Sequence, residues 1–297
     1  MNNIAIILTV FNRKAKTLRC MSQIQEALDK QAIPFQLHVY LTDDGSTDGT
    51  ADALAEQNYT FPLTILKGTG SLYWNGGMIN SWKAALDAPE NYDGYLWLND
   101  DAEIALSFWE ELLKGDNHCR SKYGQPAILV GSTTDLAGKE FTYGGFNFSN
   151  PITLKDVFVI PDGKTYQECQ CAHGNITYIP ANVVEKMGIF TDKYIHGGSD
   201  HDYTYLAYKN GFKVIVLPQY AGRCDNDHGS QSTLGFNAPT IKERLAYLHA
   251  PLGYNLNNAL LFQKRCFPYR YPFVFIMGYA KALFPKVFTT LYHWLRR

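Results

Sequence analysis

The chain has 297 residues, of which 46% are hydrophobic and 14% are aromatic, and its formal net charge at pH 7 is −1. This length allows one large domain, or a domain with an extension, to bury a full hydrophobic core. The near-neutral charge excludes the basic footprint of a nucleic-acid-binding protein, and six cysteines are too sparse for a disulfide framework.

The first predicted element is a buried strand, NIAIILT, over residues 3–9. The N-terminal segment MNNIAIILTVFNRK has no basic region before its apolar run and no small-residue cleavage site after it. It therefore predicts a first strand rather than a signal peptide. Together with the sparse cysteines, this pattern favours a reduced, cytoplasmic protein.

Strands and helices alternate over the first 135 residues. Apolar runs predict strands, and the segments between them have apolar residues at helical spacing. The predicted strands are 3–9, 36–42, 63–68, 94–99 and 127–132. This alternation predicts parallel βαβ units with right-handed crossovers, and hence an α/β fold with a mostly parallel sheet.

The second half of the chain is less regular and rich in Gly, Tyr and Phe. Residues 199–218 predict a capped helix that ends near Gly211 and is followed by a strand. We expect one domain over 1–239, in two parts (1–135 and 136–239), and a helical C-terminal extension over 240–297.

The C-terminal segment YPFVFIMGYAKALFPKVFTTLYHWLRR is aromatic, basic and interrupted by Lys281, Pro285 and Lys286. It falls short of the roughly 20 apolar residues that span a bilayer. Its composition suits a helix that lies in the interface of a membrane, here the inner face of the cytoplasmic membrane. A helix packed on its own domain is an equal alternative.

Three polar segments follow predicted strands: TVFN (9–12), TDDGSTDGT (42–50) and NDDAE (99–103). The carboxyl ends of parallel strands lie on one edge of the sheet, where ligands bind, so we expect these segments to meet. Because an unpaired buried carboxylate is costly, Asp100 and Asp101 are expected to reach water or to meet a cation.

Carboxylates at a strand end suit a hard divalent ion, Mn²⁺ or Mg²⁺, that joins the protein to phosphates. A solvated acidic turn is the alternative reading of NDDAE. The segment DDGSTDGT resembles a calcium loop only superficially, because Ala55 stands where the closing glutamate is needed.

A glycine-rich loop, KGTGSLYWNGGMINS, spans residues 67–81. Gly68 and Gly70 begin a dinucleotide fingerprint, but Tyr73 takes the place of the third glycine, and the loop does not follow the first strand. A dehydrogenase is therefore disfavoured. The glycines permit close approach of a ligand to the backbone, and Trp74 is placed either to stack on a sugar or to pack in the core.

Four segments in this order, IILTVFNR, LTDDGSTDGT, GSLYWNGGMINSWKAAL and YLWLNDDAEI, closely resemble the family 2 glycosyltransferases of the GT-A fold, in particular their bacterial rhamnosyltransferase-like branch. The resemblance covers about residues 3–225 and implies a catalytic domain over 1–239, with a nucleotide-binding half (1–135) and an acceptor-side half (136–239). It implies a GT-A fold and a metal-dependent, inverting transfer of a sugar from a dTDP- or UDP-linked donor. Rhamnose is the first candidate for that sugar. The implied acceptor is a hydroxyl of a cell-surface glycan or of a lipid-linked precursor.

The resemblance also implies a nucleotide site. Residues 9–11 would line the nucleotide pocket, and Asp44 or Asp43 would accept a hydrogen bond from the pyrimidine N–H. Asn99 begins the segment that matches the Asp-x-Asp motif of the family, so Asp101 would ligate the metal and Asp100 would contact the ribose or a metal-bound water. With the glycine-rich loop included, the predicted donor-binding residues are Thr9, Val10, Phe11, Asp43, Asp44, Gly70, Trp74, Asn99 and Asp100.

Asp200, in the segment GGSDHDYTYLAYKNGF, matches the aspartate of the catalytic Glu-Asp pair of the family. It would act as the general base for the acceptor hydroxyl, although Ser199 replaces the glutamate. A role as a helix cap is the alternative. His228, in DNDHGS, is a candidate second metal ligand, and a surface histidine is the alternative there.

Two other classes of function use parts of the same pattern. A nucleotidyltransferase would share the strand ends and the metal, although the chain lacks a glycine-rich basic loop after its first strand. A non-catalytic carbohydrate-binding protein would use the tyrosines and tryptophans without any metal.

Overall fold

The computed structural model describes residues 1–31, 33–226 and 235–287. The chain divides into two compact units. The first comprises Met1–Asp192 and Ser199–Asp225, and the second comprises Lys193–Gly198 and Asn226–Arg297. The division follows Asp225, whereas the sequence placed the end of the first domain at residue 239.

The first unit contains the strands and six helices. The strands are β1 (Asn3–Val10), β2 (Gln36–Asp43), β3 (Leu63–Lys67), β4 (Gly94–Leu98), β5 (Glu103–Ile104), β6 (Ile128–Val130), β7 (Thr133–Thr134), β8 (Phe141–Tyr143), β9 (Gly145–Phe148), β10 (Asp156–Phe158), β11 (Gln167–Glu168), β12 (Cys171–Ala172), β13 (Ile176–Pro180), β14 (Val214–Val216) and β15 (Gly222–Arg223). The helices are α1 (Lys14–Lys30), α2 (Thr50–Ala55), α3 (Tyr73–Leu86), α4 (Phe108–Tyr123), α5 (Ala181–Met187) and α6 (Ser199–Lys209).

An eight-stranded sheet forms the centre of this unit, in the order β11-β14-β6-β13-β4-β1-β2-β3. Strands β1 to β4 pair in parallel, and β6 pairs in parallel with β14. Strand β13 runs antiparallel to both β4 and β6, and β11 is an antiparallel edge strand. The predicted α/β fold with a mostly parallel sheet is therefore confirmed. Two small sheets, β10-β9-β12 and β5-β15-β7-β8, complete the unit.

Strand β1 is apolar along its length because helices cover both of its faces. Ile4, Ile6 and Leu8 pack in one cluster with buried side chains of α1 and α4. Ala5 and Ile7 face the other way and pack in a second cluster with side chains of α3. The central strands are thus fixed from both sides, and the positions of their carboxyl ends are fixed with them.

The second unit is helical in its described part, with α7 (Ile241–His249), α8 (Leu256–Cys266), a 3-10 turn (Pro268–Arg270) and α9 (Tyr271–Leu283). Thr240 and Glu243 form a capping box at the start of α7. Its core is small and consists of Phe236, Leu248, Leu256, Leu260 and Ala282. Among the described residues, no helix has the length and apolar character needed to cross a membrane.

Candidate functional site

The loops that follow β1 and β2 are joined at the carboxyl edge of the sheet. The backbone N–H of Asn12 donates to Ser46 Oγ (2.9 Å), and that of Thr47 donates to Asn12 Oδ1 (2.7 Å). The N–H of Lys14 donates to Asp48 Oδ2 (2.9 Å). Two of the three polar segments noted in the sequence therefore lie in direct contact.

Asp44 is buried and binds the glycine-rich loop. Its Oδ1 accepts the N–H of Gly70 (2.8 Å), and its Oδ2 accepts the N–H groups of Leu72 (2.8 Å) and Tyr73 (3.0 Å). A carboxylate in this position is favourable because the first N–H groups of a helix lack intrahelical partners and carry a partial positive charge. Asp44 thereby fixes the start of α3, whereas its predicted contact with the base stays a prediction.

The glycines of this loop are required by close packing and backbone geometry. A Cβ at Gly68 would lie 2.7 Å from Asp44 Cα, and Gly70 adopts a φ of +84°. Larger residues would clash at the first position and be strained at the second. The glycine-rich pattern thus has a structural cause before any ligand is considered.

The three residues at the end of β1 and just after it differ in exposure. Val10 packs in the core, so it presents only its backbone. The Thr9 hydroxyl donates to the carbonyl of Thr42 (3.3 Å). Phe11 is 53% exposed and is the residue of this group whose side chain is open to a ligand. Asp43, at the end of β2, is buried and accepts the N–H of Ser46 (2.8 Å).

Asp100 and Asp101 meet a cation, and that cation is Arg13. Arg13 Nη1 lies 2.7 Å from Asp101 Oδ2 and 3.4 Å from Asp100 Oδ1. The two carboxylate side chains are only 9% and 14% exposed, whereas the arginine side chain is 41% exposed. This pairing was not predicted from the sequence, although the parallel order of β1 and β4 places the segment FNRK beside NDD.

Asp100 has a strongly perturbed carboxyl group. Burial disfavours its charged form and raises its pKa to about 7, although Arg13 acts in the opposite direction. The neighbouring charge of Asp101 adds to the increase, and the hydroxyl of Thr17 donates to Asp100 Oδ2 (3.4 Å). Asp100 thus depends on nearby positive charge to ionise.

Asn99 connects this pair of aspartates to Trp74. The indole Nε1–H of Trp74 donates to Asn99 Oδ1 (2.9 Å). A Cβ at Gly174 would lie 3.1 Å from the Trp74 ring and 3.2 Å from Asp200 Cβ. The Trp74 indole and Asp200 therefore both lie beside Gly174.

Asp200 lies in the first turn of α6, and its side chain is 14% exposed. Its Oδ2 accepts the N–H of Gly174 (2.8 Å), and its Oδ1 accepts the N–H of His201 (2.9 Å). His201 Nε2 lies 3.9 Å from Asp200 Oδ2. The contact with Gly174 extends beyond helix capping and holds the carboxylate against the segment before β13.

The start of α3 links the predicted residues into one connected group. Asp44 binds the N–H of Tyr73, and the next residue, Trp74, contacts both Asn99 and the neighbourhood of Asp200. Asp44 therefore binds the start of α3, Asp200 lies near Trp74 on that helix, and Asp101 follows Asn99 by two residues. His228 lies outside the described residues, so its predicted role as a metal ligand stays a prediction.

The donor atoms at this edge are two adjacent carboxylates. Over residues 1–31, 33–226 and 235–287, no three His, Cys, Asp or Glu side chains are grouped as metal ligands. Mg²⁺ and Mn²⁺ often bind through one or two carboxylates and complete their shell with water and phosphate oxygens. Asp100 and Asp101 fit that mode.

The chain has the GT-A fold, as its structural neighbours show. It matches S. aureus TarS 1–349 with a TM-score of 0.55 and 13% identity over 96% of this chain and 76% of that one. For the Pyrobaculum calidifontis mannosyltransferase PcManGT, in complex with GDP-Man and Mn²⁺, the TM-score is 0.51 and the identity is 16% over 94% of this chain and 75% of that one. For GalNAc-T7 with UDP, GalNAc and Mn²⁺, the TM-score is 0.57 and the identity is 14% over 91% of this chain and 52% of that one. No protein-family model and no curated protein sequence matches the chain.

Proposed function

We propose that the protein is a glycosyltransferase that moves a sugar from a nucleotide-diphosphate donor to an acceptor hydroxyl. The observation that carries the proposal is the position of Trp74 at the carboxyl edge of a GT-A sheet, where its indole bonds Asn99, two residues before Asp101, and lies beside Gly174, whose N–H Asp200 accepts. Such an edge is where open α/β sheets bind ligands. A mere acidic turn would not need the indole and the second carboxylate beside it.

Each group has a role in this reaction. Phe11 offers an exposed ring to the base, and Asp44 fixes the start of α3, which carries Trp74, beside the site. Mn²⁺ or Mg²⁺ held by Asp101 and Asp100 would supply positive charge to the departing diphosphate. The carboxylate of Asp200 takes the proton of the acceptor hydroxyl, and attack opposite the leaving group inverts the anomeric centre.

The donor is a nucleotide sugar in this proposal. TarS 1–349 has been crystallised with UDP-GlcNAc and PcManGT with GDP-Man, which supports the donor class for a chain of the same fold. The sequence motifs favour family 2, its rhamnosyltransferase-like branch and a dTDP- or UDP-linked sugar. A cell-surface glycan or its lipid-linked precursor is the corresponding acceptor.

Contact with a membrane surface is part of the proposal. The second unit leaves large apolar side chains between 44% and 67% exposed, namely Tyr269, Phe273, Phe275, Ile276, Phe284 and Val287. Residues 235–297 also carry nine lysines and arginines but only one acidic residue, Glu243. Exposed aromatic rings beside basic groups suit an anionic lipid surface, where a lipid-linked acceptor resides.

A panel of dTDP-, UDP- and GDP-sugars tests the activity, with release of nucleoside diphosphate as the readout, with and without Mn²⁺. A transferase releases the diphosphate from one donor class, faster with acceptor present, and loses this activity in EDTA. Release of inorganic diphosphate from nucleoside triphosphates would instead identify a nucleotidyltransferase. Glycan binding that ignores both nucleotide and metal would identify a carbohydrate-binding protein.

A further inference from the structure

We propose that Arg13 is an exchangeable counter-ion, which holds Asp101 when no divalent cation is bound and releases it when the cation binds. The inference rests on the proposed function only for the role of the cation in the reaction. The contact between Arg13 and Asp101 is observed in the structure and does not depend on that function. The proposal adds to the site a basic residue that competes with the metal for Asp101.

The geometry makes the competition direct. Arg13 Nη1 lies 2.7 Å from Asp101 Oδ2, which is hydrogen-bonding distance for a charge-assisted pair. Cys224 Sγ lies 3.5 Å from Asp101 Oδ1, so the other oxygen also has a neighbour. Arg13 Nη1 occupies one side of Asp101 Oδ2, so a cation that binds the carboxylate from that side takes the position of the guanidinium group.

The backbone of Arg13 is anchored although its side chain is not enclosed. The carbonyl of Arg13 accepts the N–H of Thr17 (2.9 Å) and the Thr17 hydroxyl (3.0 Å). The side chain is 41% exposed and reaches the carboxylates from the edge. Because an arginine side chain has several rotatable bonds, the guanidinium can leave while α1 stays in place.

Charge explains why such a group is needed. Asp100 and Asp101 are adjacent, mostly shielded from water and of like sign. Without a nearby cation, two such carboxylates repel each other. Arg13 supplies positive charge beside them, and a divalent ion would supply more of it.

Arg19 provides a matched control. It lies on α1, which begins directly after Arg13, and pairs with Glu103, two residues beyond Asp101 (Nη2 to Oε2, 3.0 Å). Arg19→Gln therefore removes the same charge from a nearby position and breaks a similar ion pair. It leaves the Asp101 carboxylate with its arginine.

The test measures binding of Mn²⁺ alone, without nucleotide, from the electron paramagnetic resonance signal of the free ion. We expect Arg13→Gln to bind Mn²⁺ at least about tenfold more tightly than the unchanged protein. Arg19→Gln should stay within about threefold, and Asp101→Asn in the Arg13→Gln background should abolish the gain. Equal or weaker binding by Arg13→Gln overturns the proposal, as does an equal gain in Arg19→Gln or no Mn²⁺ binding in any variant.

Thermal unfolding gives a second readout that needs no substrate. In EDTA, Arg13→Gln should unfold at a lower temperature than the unchanged protein, and Mn²⁺ should restore more of the loss than it does in Arg19→Gln. An identical response of the two variants to Mn²⁺ contradicts the inference. Neither readout depends on turnover, so a failed donor panel and a failed counter-ion remain distinguishable.

Discussion

Asp200 shows how two roles can coexist in one side chain. Both of its oxygens accept backbone N–H groups, from Gly174 and His201, yet 14% of the side chain remains exposed. Each carboxylate oxygen has two lone pairs and can accept a second hydrogen bond. The hydrogen bonds therefore fix the orientation of the carboxylate and leave it able to receive a proton.

Asp200→Asn tests this residue. The amide keeps the size of the side chain, but it has one acceptor oxygen instead of two and cannot serve as a base, so we expect the transfer rate to fall by about 10²-fold or more. Donor binding, measured by calorimetry in the presence of Mn²⁺, should change by less than about threefold, since no donor contact is lost. Asp87→Asn, at an exposed carboxylate that ends α3, is the control and should transfer normally. A normal rate in Asp200→Asn removes it from the reaction.

His173 makes the stability of the first unit sensitive to acid. Its Nδ1–H donates to the carbonyl of Gly144 (2.9 Å), and its ring packs against Phe146 and His201. Burial disfavours the charged imidazolium, and together with the nearby His201 it lowers the pKa of His173 to about 4.

A depressed histidine pKa means that the folded state binds fewer protons than the unfolded state. The stabilisation is complete above the unfolded value of about 6.5 and is lost as the pH falls toward 4, by about 3 kcal/mol. His173→Asn can keep the donor to the carbonyl of Gly144 but does not titrate. Urea unfolding at pH 7 and pH 4.5 should show a smaller loss in His173→Asn than in the unchanged protein. His249→Asn, on the second unit, should keep the original loss, and equal losses in all three proteins would contradict the assignment.

At the scale of elements, two adjacent glycines of α3 have different functions. A Cβ at Gly77 would overlap the side chain of Thr9 on β1, whereas a Cβ at Gly76 would lie 3.1 Å from Leu72 Cβ on its own helix. Gly77 therefore sets the distance between α3 and the sheet. Gly76 faces its own helix, where alanine also has a better helix propensity.

Gly77→Ala should lower the free energy of unfolding by about 1–3 kcal/mol, because the helix must move away from β1. Gly76→Ala should cost less than about 1 kcal/mol, because better helix propensity offsets a small local shift. Chemical denaturation of both variants measures the difference directly. If both glycines tolerate alanine equally, the close contact between α3 and β1 does not limit the packing.

Much of this architecture follows from the sequence. The runs at 3–9, 36–42, 63–68, 94–99 and 127–132 correspond to β1, β2, β3, β4 and β6, because each is a short apolar run that adjoins a helix in the chain. The antiparallel strand β13 was not predicted as such, since the apolar pattern of a strand is the same in either direction. The short strands β7 to β12 give too few residues for any period to be recognised.

The candidate site was predictable to a similar extent. Parallel order brings the polar segments after β1 and β2 together, as expected, and sets Asp100 and Asp101 at the same edge. The partners of individual side chains were not visible. Neither the Arg13–Asp101 pair nor the Trp74–Asn99 hydrogen bond follows from spacing, because both join segments that are far apart in the chain.

For the molecule as a whole, charge is distributed unevenly. The formal net charge of −1 combines nine basic residues and one acidic residue in 235–297 with 18 basic and 27 acidic residues in 1–234. A near-neutral total thus conceals a basic C-terminal region. Electrostatic attraction of that region to an anionic surface should weaken with salt, since the Debye length falls to about 8 Å at physiological ionic strength.

Vesicle sedimentation tests the proposed membrane contact. The full chain should bind vesicles that contain phosphatidylglycerol several-fold more strongly than pure phosphatidylcholine vesicles, and 0.5 M salt should reverse most of the difference. Ile276→Glu, at a side chain that is 62% exposed on α9, should reduce binding. Ile152→Glu, 74% exposed on the first unit, is the matched control. Equal binding by both variants, or concentration-dependent dimers without lipid binding, would contradict the proposed membrane contact.

The environment of Trp74 gives the protein an internal optical probe. Trp82, Trp97 and Trp109 are completely buried, whereas Trp74 is half-buried and bonded to Asn99. With Trp294 replaced by phenylalanine, quenching of fluorescence by iodide would report chiefly on the Trp74 indole. A sugar that stacks on the Trp74 ring would shield it from iodide. Binding of the donor could then be measured in solution without a radiolabel or a coupled assay.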